Sequence, residues 1–349
     1  MMFKQFGGKI TAELKARYEK SPNWRNGSFQ NLEETSMDVG ITEMPGLLYK
    51  LFFEKDPQAA PNQDLAIESF DLDAFLKPSD DIKYIWYGHG VYLMRINNKT
   101  LLIDPMLGPD SSPISPAKTR RFSANPLDLI DDFPEIDLML LTHDHYDHLD
   151  LASIRKLIPK IKSYYVALGC GRHLEAWGVP NHKITEFDWW DVSIFSGIKI
   201  TFTPSRHFSG RGLRDRAKSL WGGWVFKTAT QNLFHSGDGG FGAHFKDIGE
   251  KLGPFDFGFI ECGQYGEKWS QIHMFPRESV IAAIDAKVKI ATPYHWAGFK
   301  LAFHSWTEPA DLFVRYAIEN NLNYTLPRLG QLMHLNNTCQ THMWWKDLD

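Results

Sequence analysis

The chain runs to 349 residues, 43% hydrophobic and 23% charged, with a formal net charge of −4. That balance supports a large buried core and excludes wholesale disorder, and the length admits either two domains or one large one. The acidic surplus argues against a nucleic-acid partner, because domains that hold polyanions carry a basic excess.

In chain order, residues 1–80 are poorly periodic, with turn signals at Ser21-Pro22-Asn23 and Pro61-Asn62. They read as an arm packed on a main domain over residues 81–349. Strand signals begin at Tyr84–Tyr87 and Val91–Ile96, and Asn97-Asn98-Lys99 turns the chain into a third strand at Thr100–Asp104. A Pro- and Ser-rich loop, Pro105 to Pro126, leads to an apolar strand at Ile136–Thr142. A helix follows at Leu149–Ile158, stopped by Pro159. Further strands are expected at Tyr164–Leu168, Ile198–Thr203, Gly223–Thr228, Asn232–Ser236, Phe257–Ile260 and Val288–Thr292, with helices at Phe245–Leu252 and Arg277–Ala286. Mostly β halves with interspersed helices predict an α+β architecture, two sheets covered by helices on both outer faces.

Cys170, Cys262 and Cys339 lie far apart, with neither metal-knuckle nor disulfide spacing, which suits a reducing compartment. The first twenty residues hold no apolar signal region, and no stretch approaches the ~20 apolar residues of a spanning helix. The expectation is a cytoplasmic protein, at most resting on a membrane surface as a peripheral contact. Basic residues gather at Lys118, Arg120 and Arg121, and again at Arg206, Arg211, Arg214, Arg216 and Lys218. The first group reads as a solvated loop face.

The densest signal is THDHYDHLD at Thr142–Asp150, with His143, His145, Asp147 and His148 in the pattern H-x-H-x-D-H. Imidazole and carboxylate are ligands that zinc accepts, and a catalytic site keeps a position open for water. On a tight loop after a strand alternate side chains diverge, so His143 and His145 can grip one ion while Asp147 and His148 grip another. Unmetallated, four such groups on one loop would repel or demand hydration. Two sites need more ligands than this loop holds. His207, Asp238 in HSGDGGFG and His295 in PYHWAGF each follow a strand, where a loop can turn inward. HSGDGGFG lacks the G-x-G-x-x-G spacing of a dinucleotide turn, and no Ser-centred nucleophile elbow is present.

These residues together resemble the metallo-β-lactamase fold superfamily. The resemblance implies a four-layer αββα sandwich and a dimetal hydrolase. It places one ion on His143, His145 and His207, the other on Asp147, His148 and His295, with Asp238 bridging. Within that superfamily the chain is similar to the N-acylphosphatidylethanolamine-hydrolysing phospholipase D family. The similarity runs from Trp86 to Pro309, through WYGHGVYL, HFSGRGLRDRAKSLWGGW, GDGGFGAHFKDIGEKLGPFD, QYGEKW, HMFPRESV and HWAGFKLAFHSWTEP. Two positions depart from the family: Gly239 stands where Thr is frequent, and His304 where Glu is common.

Two ions at such a centre supply water activated near neutral pH and charge stabilisation for a phosphoryl group. Zinc fits the ligand types best, and iron or manganese would accept the same set. N-acylphosphatidylethanolamine would yield N-acylethanolamine and phosphatidic acid. The resemblance also places His273 near the dimetal centre, so Asp147 and His273 are the candidate catalytic residues, and His273 and Tyr146, which lies inside the ligand loop, the candidate substrate contacts. His89 reads as a packing or supporting residue, and Arg206 as one that orients a ligand or touches phosphate. Trp221, Trp224, Trp269 and Trp296 are expected either to wall an acyl trough or to fill the core. Two rival readings stand beside this one: a small-molecule phosphodiesterase or lactonase of the same superfamily, and a non-catalytic metal- or lipid-binding protein.

Overall fold

The computed structural model describes residues 2–37, 45, 46, 49, 57–112, 119–212, 214–337 and 342–348. Lys118 and Cys339 lie outside the described residues. A short hairpin, β1 (Trp24–Arg25) and β2 (Ser28–Phe29), follows the N-terminal helix at Ala12–Tyr18. Strands β3 (Lys83–Trp86), β4 (Tyr92–Ile96), β5 (Lys99–Ile103), β6 (Ile136–Leu141), β7 (Ile161–Ala167) and β8 (Ile184–Phe187) then build one sheet. The second sheet takes β9 (Val192–Phe195), β10 (Ile198–Thr203), β11 (Gly223–Lys227), β12 (Asn232–His235), β13 (Phe257–Glu261), β14 (Ile290–Tyr294) and β15 (Asn323–Tyr324). The last strand, β16 (Leu332–His334), returns to pair antiparallel with β3.

Both sheets follow one plan. Antiparallel neighbours run from β16 to β5 and from β9 to β12, and parallel neighbours from β5 to β8 and from β12 to β15. Asn97 and Asn98, at φ 48° and 60°, make the two-residue turn between β4 and β5, the left-handed pair that suits a twisted hairpin. Every residue of β3, β12 and β13 is buried, as expected of strands covered on both faces.

The sheets meet through aromatic rings. Tyr92 and Tyr84 lie 4.1 and 5.1 Å from Phe259, ring centre to ring centre. Behind the second sheet, Phe245, Ile248, Val280, Ala283, Phe313 and Ala317 pack on Val225, Phe234, Ile260 and Ala291. They come from helices α6 (His244–Lys251), α7 (Pro276–Asp285) and α8 (Glu308–Glu319), which follow α1 (Ala12–Tyr18), α2 (Leu72–Leu76), α3 (Leu129–Asp132), α4 (Leu151–Leu157) and α5 (Gly171–Ala176). Ile154 and Leu157 of α4 and Leu174 of α5 join the cluster of the first sheet. The result is helix, sheet, sheet, helix. Tyr18, Trp24 and Phe29 from the N-terminal segment enter that same cluster.

This topology decides where chemistry can sit. Because β5, β6, β12, β13 and β14 run parallel within their sheets, their C-terminal ends reach one edge, where loops carry functional groups. Asp104, the His143–His148 loop, Asp238 and His295 follow those ends, and Glu261 is the last residue of β13. Cys170 and Cys262 are buried and unpaired. No helix among the described residues is long and apolar enough to cross a membrane.

Candidate metal centre

The His143–His148 loop is held from below and behind. Asp144, between two of its histidines, is fully buried and accepts from the Gly210 amide at 2.7 Å, from Ser219 Oγ and from His173 Nε2 at 3.1 Å. The loop then closes with Leu149 N donating to the His145 carbonyl, and Asp150 caps α4 through the amides of Ala152 and Ser153. A ligand loop tied this way offers its side chains in fixed directions.

Three imidazoles converge at the first centre. His145 Nδ1 lies 2.9 Å from His143 Nε2 and 3.2 Å from His207 Nε2. His207 Nδ1 donates to the Ile272 carbonyl at 3.0 Å, which leaves its Nε2 lone pair facing the other two rings. His143 Nδ1 donates to Thr142 Oγ1 at 3.0 Å, with the same consequence for its Nε2. The second centre gathers Asp147, His148, His295 and Asp238. Asp147 Oδ2 is 3.2 Å from His295 Nε2 and 3.6 Å from His148 Nε2. Asp238 Oδ2 is 2.9 and 3.0 Å from the same two nitrogens.

The donor set fits a pair of divalent cations. The seven candidate side chains offer nitrogen or oxygen ligand atoms: His143, His145 and His207 form one group, Asp147, His148 and His295 with His89 another, and His143, His148 and Asp238 a third that links them. Asp238 Oδ1 is buried without a hydrogen-bond partner while its Oδ2 faces the second centre. A carboxylate with one oxygen committed and the other free is what a bridging ligand requires.

Electrostatics point the same way. Burial, followed by the neighbouring histidines, pushes His143 and His207 well below the usual histidine range, so both stay neutral and able to donate lone pairs. Burial alone would raise Asp147 and Asp238, but the charge on His148 and further histidine contacts outweigh it and hold both carboxyls well below their usual range. Conversely, burial opposes the charge on His148, yet Asp238 and Asp147 push it up to about 10. The buried Asp238 and the partly exposed Asp147 thus draw positive charge to this point.

The remaining candidates fall into different surroundings. His273 lies beside both centres, its ring 5.0 Å from that of His207 and 5.2 Å from that of His295, with Nδ1 3.2 Å from Glu261 Oε1. His89, fully buried at φ 54°, sits 2.8 Å from Asp147 Oδ2 and supports that ligand. Tyr146 donates its hydroxyl to the Arg211 carbonyl and lies under the Arg211 guanidinium, so its polar atom is already engaged. Arg206 binds Thr35 Oγ1 and the carbonyls of Glu34 and Phe241, tying the N-terminal segment to the site. Trp221, Trp224 and Trp296 are buried, and Trp269 stands partly exposed against Phe303. A Cβ at Gly239 would meet Arg206 N at 3.0 Å and Ser205 Cβ at 3.2 Å, so a threonine there would press on the His207 loop. His304 stacks on Tyr265 at 4.2 Å.

Four further residues support the ligands: Asp144 stands inside the H-x-H-x-D-H run, and Asp104, Glu261 and Asn31 belong to no motif. Asp104 accepts from Thr142 and sits 2.8 Å from His148 Nδ1. Glu261 lies between His273 and His295, Asp144 pins the ligand loop, and Asn31 binds the His207 backbone. The shared signal for Asp104 and Glu261 is an acid ending an apolar strand, the placement that also marks the ligands.

Fold and site together define a metallo-hydrolase of the metallo-β-lactamase fold. The chain belongs to that superfamily: the profile of the Beta-lactamase superfamily domain matches residues 99–296. An uncharacterized protein of Mycobacterium tuberculosis is 31% identical over 343 residues, covering 97% of this chain and 91% of that one. The N-acyl-phosphatidylethanolamine-hydrolyzing phospholipase D 1 of Caenorhabditis elegans is 32% identical over 240 residues, covering 65% of this chain and 67% of that one. Among solved structures, Igni18, a metallo hydrolase from Ignicoccus hospitalis, shares the fold with a TM-score of 0.56 at 17% identity, over 72% of this chain and 97% of that one.

Proposed function

We propose that this chain is a phospholipase D-type phosphodiester hydrolase that converts N-acylphosphatidylethanolamine to N-acylethanolamine and phosphatidic acid. The observation that carries the reading is the pair of ligand groups joined at Asp238, with His273 beside both. The similarity to the nematode enzyme supports the substrate. His143, His145 and His207 would hold one zinc ion, Asp147, His148 and His295 the other, and Asp238 both. When bound, such a pair supplies Lewis acidity and water activated at neutral pH.

The protein's own groups do the rest. His89 and Asp104 keep the Asp147 carboxylate and the His148 ring in place. His273, its Nδ1–H given to Glu261, presents Nε2 to exchange a proton with the departing alcohol. The proposed setting is the cytoplasmic face of a lipid surface.

One observation favours a second reading, a water-soluble diester or lactone as substrate. A cavity of about 560 Å³ beside His207 and Phe208 is walled largely by polar residues, among them Arg25, Gln30, Glu33 and Thr35. Trp224 and Trp296 meanwhile fill the core. Product analysis separates the two. Metal-loaded protein given long-chain N-acylphosphatidylethanolamine should release N-acylethanolamine and phosphatidic acid, faster than it cleaves a short-chain soluble diester. Equal or better turnover of the soluble diester, with no N-acylethanolamine, would establish the second reading instead.

A further inference from the structure

His207 is the ligand of the first centre that does not come from the His143–His148 loop, so something else must fix its distance from that loop. Its ring is set by the Ile272 carbonyl. Its backbone is set by a side chain 176 positions earlier in sequence. Asn31 Nδ2 donates to the His207 carbonyl at 2.8 Å, and the His207 amide donates back to Asn31 Oδ1 at 3.0 Å. The same oxygen accepts from Trp221 Nε1 at 3.0 Å, and Trp221 Nε1 also reaches the Ser205 carbonyl at 3.2 Å. One amide therefore satisfies both backbone groups of His207, which is buried, and anchors that pair to a buried indole.

The neighbours repeat the attachment. Arg206 binds the Glu34 carbonyl and Thr35 Oγ1, Ser36 N donates to Gln271 Oε1, and Glu33 Oε1 accepts from Ala243 N. All of these partners lie on the loops that carry His207, Asp238 and His273. Residues 31–36 lie before the stretch, 99–296, that matches the superfamily profile.

We propose that Asn31 is a positioning residue for the first metal centre, its side-chain amide setting the reach of His207 by binding that ligand's N–H and C=O. Asparagine suits the task. A primary amide presents an N–H donor and a carbonyl acceptor on one edge, complementary to the C=O and N–H of the single residue His207. Alanine leaves both His207 groups unpaired, and glutamine holds the same amide one methylene too far out. The proposal rests on the two-centre reading of the site and is independent of the substrate.

The test is metal binding by the full chain. Wild-type protein, Asn31→Ala, Asn31→Gln and a His207→Ala control are compared by metal content, chelator competition and the absorption spectrum of the cobalt-loaded form. Asn31→Ala should weaken the first centre ~10–100-fold, the usual cost of losing a group that orients a ligand. The second centre should keep its affinity, and the melting temperature of the metal-free protein should stay near wild type. Turnover should recover at raised metal concentration. Should Asn31→Ala fail to fold, Asn31→Gln decides, with a weakened first centre and an altered cobalt spectrum expected. Wild-type affinity at both centres in the substituted proteins, or equal loss at both, overturns the proposal. A wild-type protein that binds fewer than two ions would refute the two-centre reading, and the proposal that rests on it, before any variant is compared.

Discussion

The Asp104 carboxylate lies 2.8 Å from His148 Nδ1 and also accepts from Thr142 Oγ1 at 2.6 Å, while Thr142 Oγ1 in turn accepts from His143 Nδ1. One buried acid at the end of β5 thus orients a histidine of each ligand group, one directly and one through a hydroxyl. Asp104→Asn would set an amide donor against a ring N–H or a hydroxyl that already donates. We expect metal affinity to fall ~10–100-fold, at the second centre above all, because His148 meets Asp104 directly. Chelator competition with metal analysis checks this, and unchanged affinity would remove Asp104 from the orientation of either ring.

Purified protein should carry close to two transition-metal ions per chain and lose its activity on chelation. Asp238 and His295 should then differ in their effects. Asp238 faces His148 and His295 through Oδ2 and leaves Oδ1 free, whereas His295 meets only the second group. Asp238→Ala is expected to deplete both centres, and His295→Ala chiefly one. Retention of two ions and near-normal turnover in Asp238→Ala would show that this carboxylate does not bridge.

The ligand loop is legible in the sequence because its density has no packing purpose, and the β4–β5 hairpin because two asparagines announce a left-handed turn. Asp104 and Glu261 carry only the weak signal of an acid at a strand's end and Asn31 carries none, since each acts on a partner brought near only by the folded sheets. Asn31 is a lone polar residue in a segment without periodicity. Helix α8 is a different case: Ala310, Phe313, Val314 and Ala317 are buried at helical spacing, so its signal is present although the chain reading places no element there. The aromatic surplus suggested a trough or a core, and much of it is core: Trp296 packs on Trp306, Trp344 and Trp345. Composition reports how many rings there are and not which way they face.

Acid should destabilise the fold through His244. This residue is buried, its Nε2 has no hydrogen-bond partner, and burial, aided by the charge of Arg206, lowers its pKa to about 3. The unfolded chain takes up that proton near pH 6.5, and the folded chain not until about 3. The contribution is therefore whole above 6.5 and is lost progressively as pH falls toward 3. By pH 5 the loss is about 2 kcal/mol. Denaturant unfolding of metal-free protein at pH 7.5 and 5.0 should show a smaller drop for His244→Gln than for wild type. Equal drops would mean that His244 is already charged in the fold or reaches water.

His273 meets the buried Glu261 through Nδ1 at 3.2 Å, and Glu261 also lies 3.3 Å from His295 Nδ1. With Nδ1–H given to the carboxylate, Nε2 is the atom left for chemistry. His273→Ala should retain both ions and lose ~10²–10⁴ in turnover, the usual range for an acid–base group. The size of the loss should depend on the leaving group. An alkyl alcohol needs a proton as it departs, whereas p-nitrophenolate leaves without one, so the variant should be impaired far less on a p-nitrophenyl diester. Glu261→Gln should behave differently, lowering turnover and also weakening the second centre, because His295 loses its carboxylate neighbour. Turnover on both diesters, measured beside metal content, distinguishes the roles. Equal impairment on the two substrates would argue against proton transfer by His273, and loss of an ion with His273→Ala would make it a ligand, a role its place near His207 and Asp238 permits.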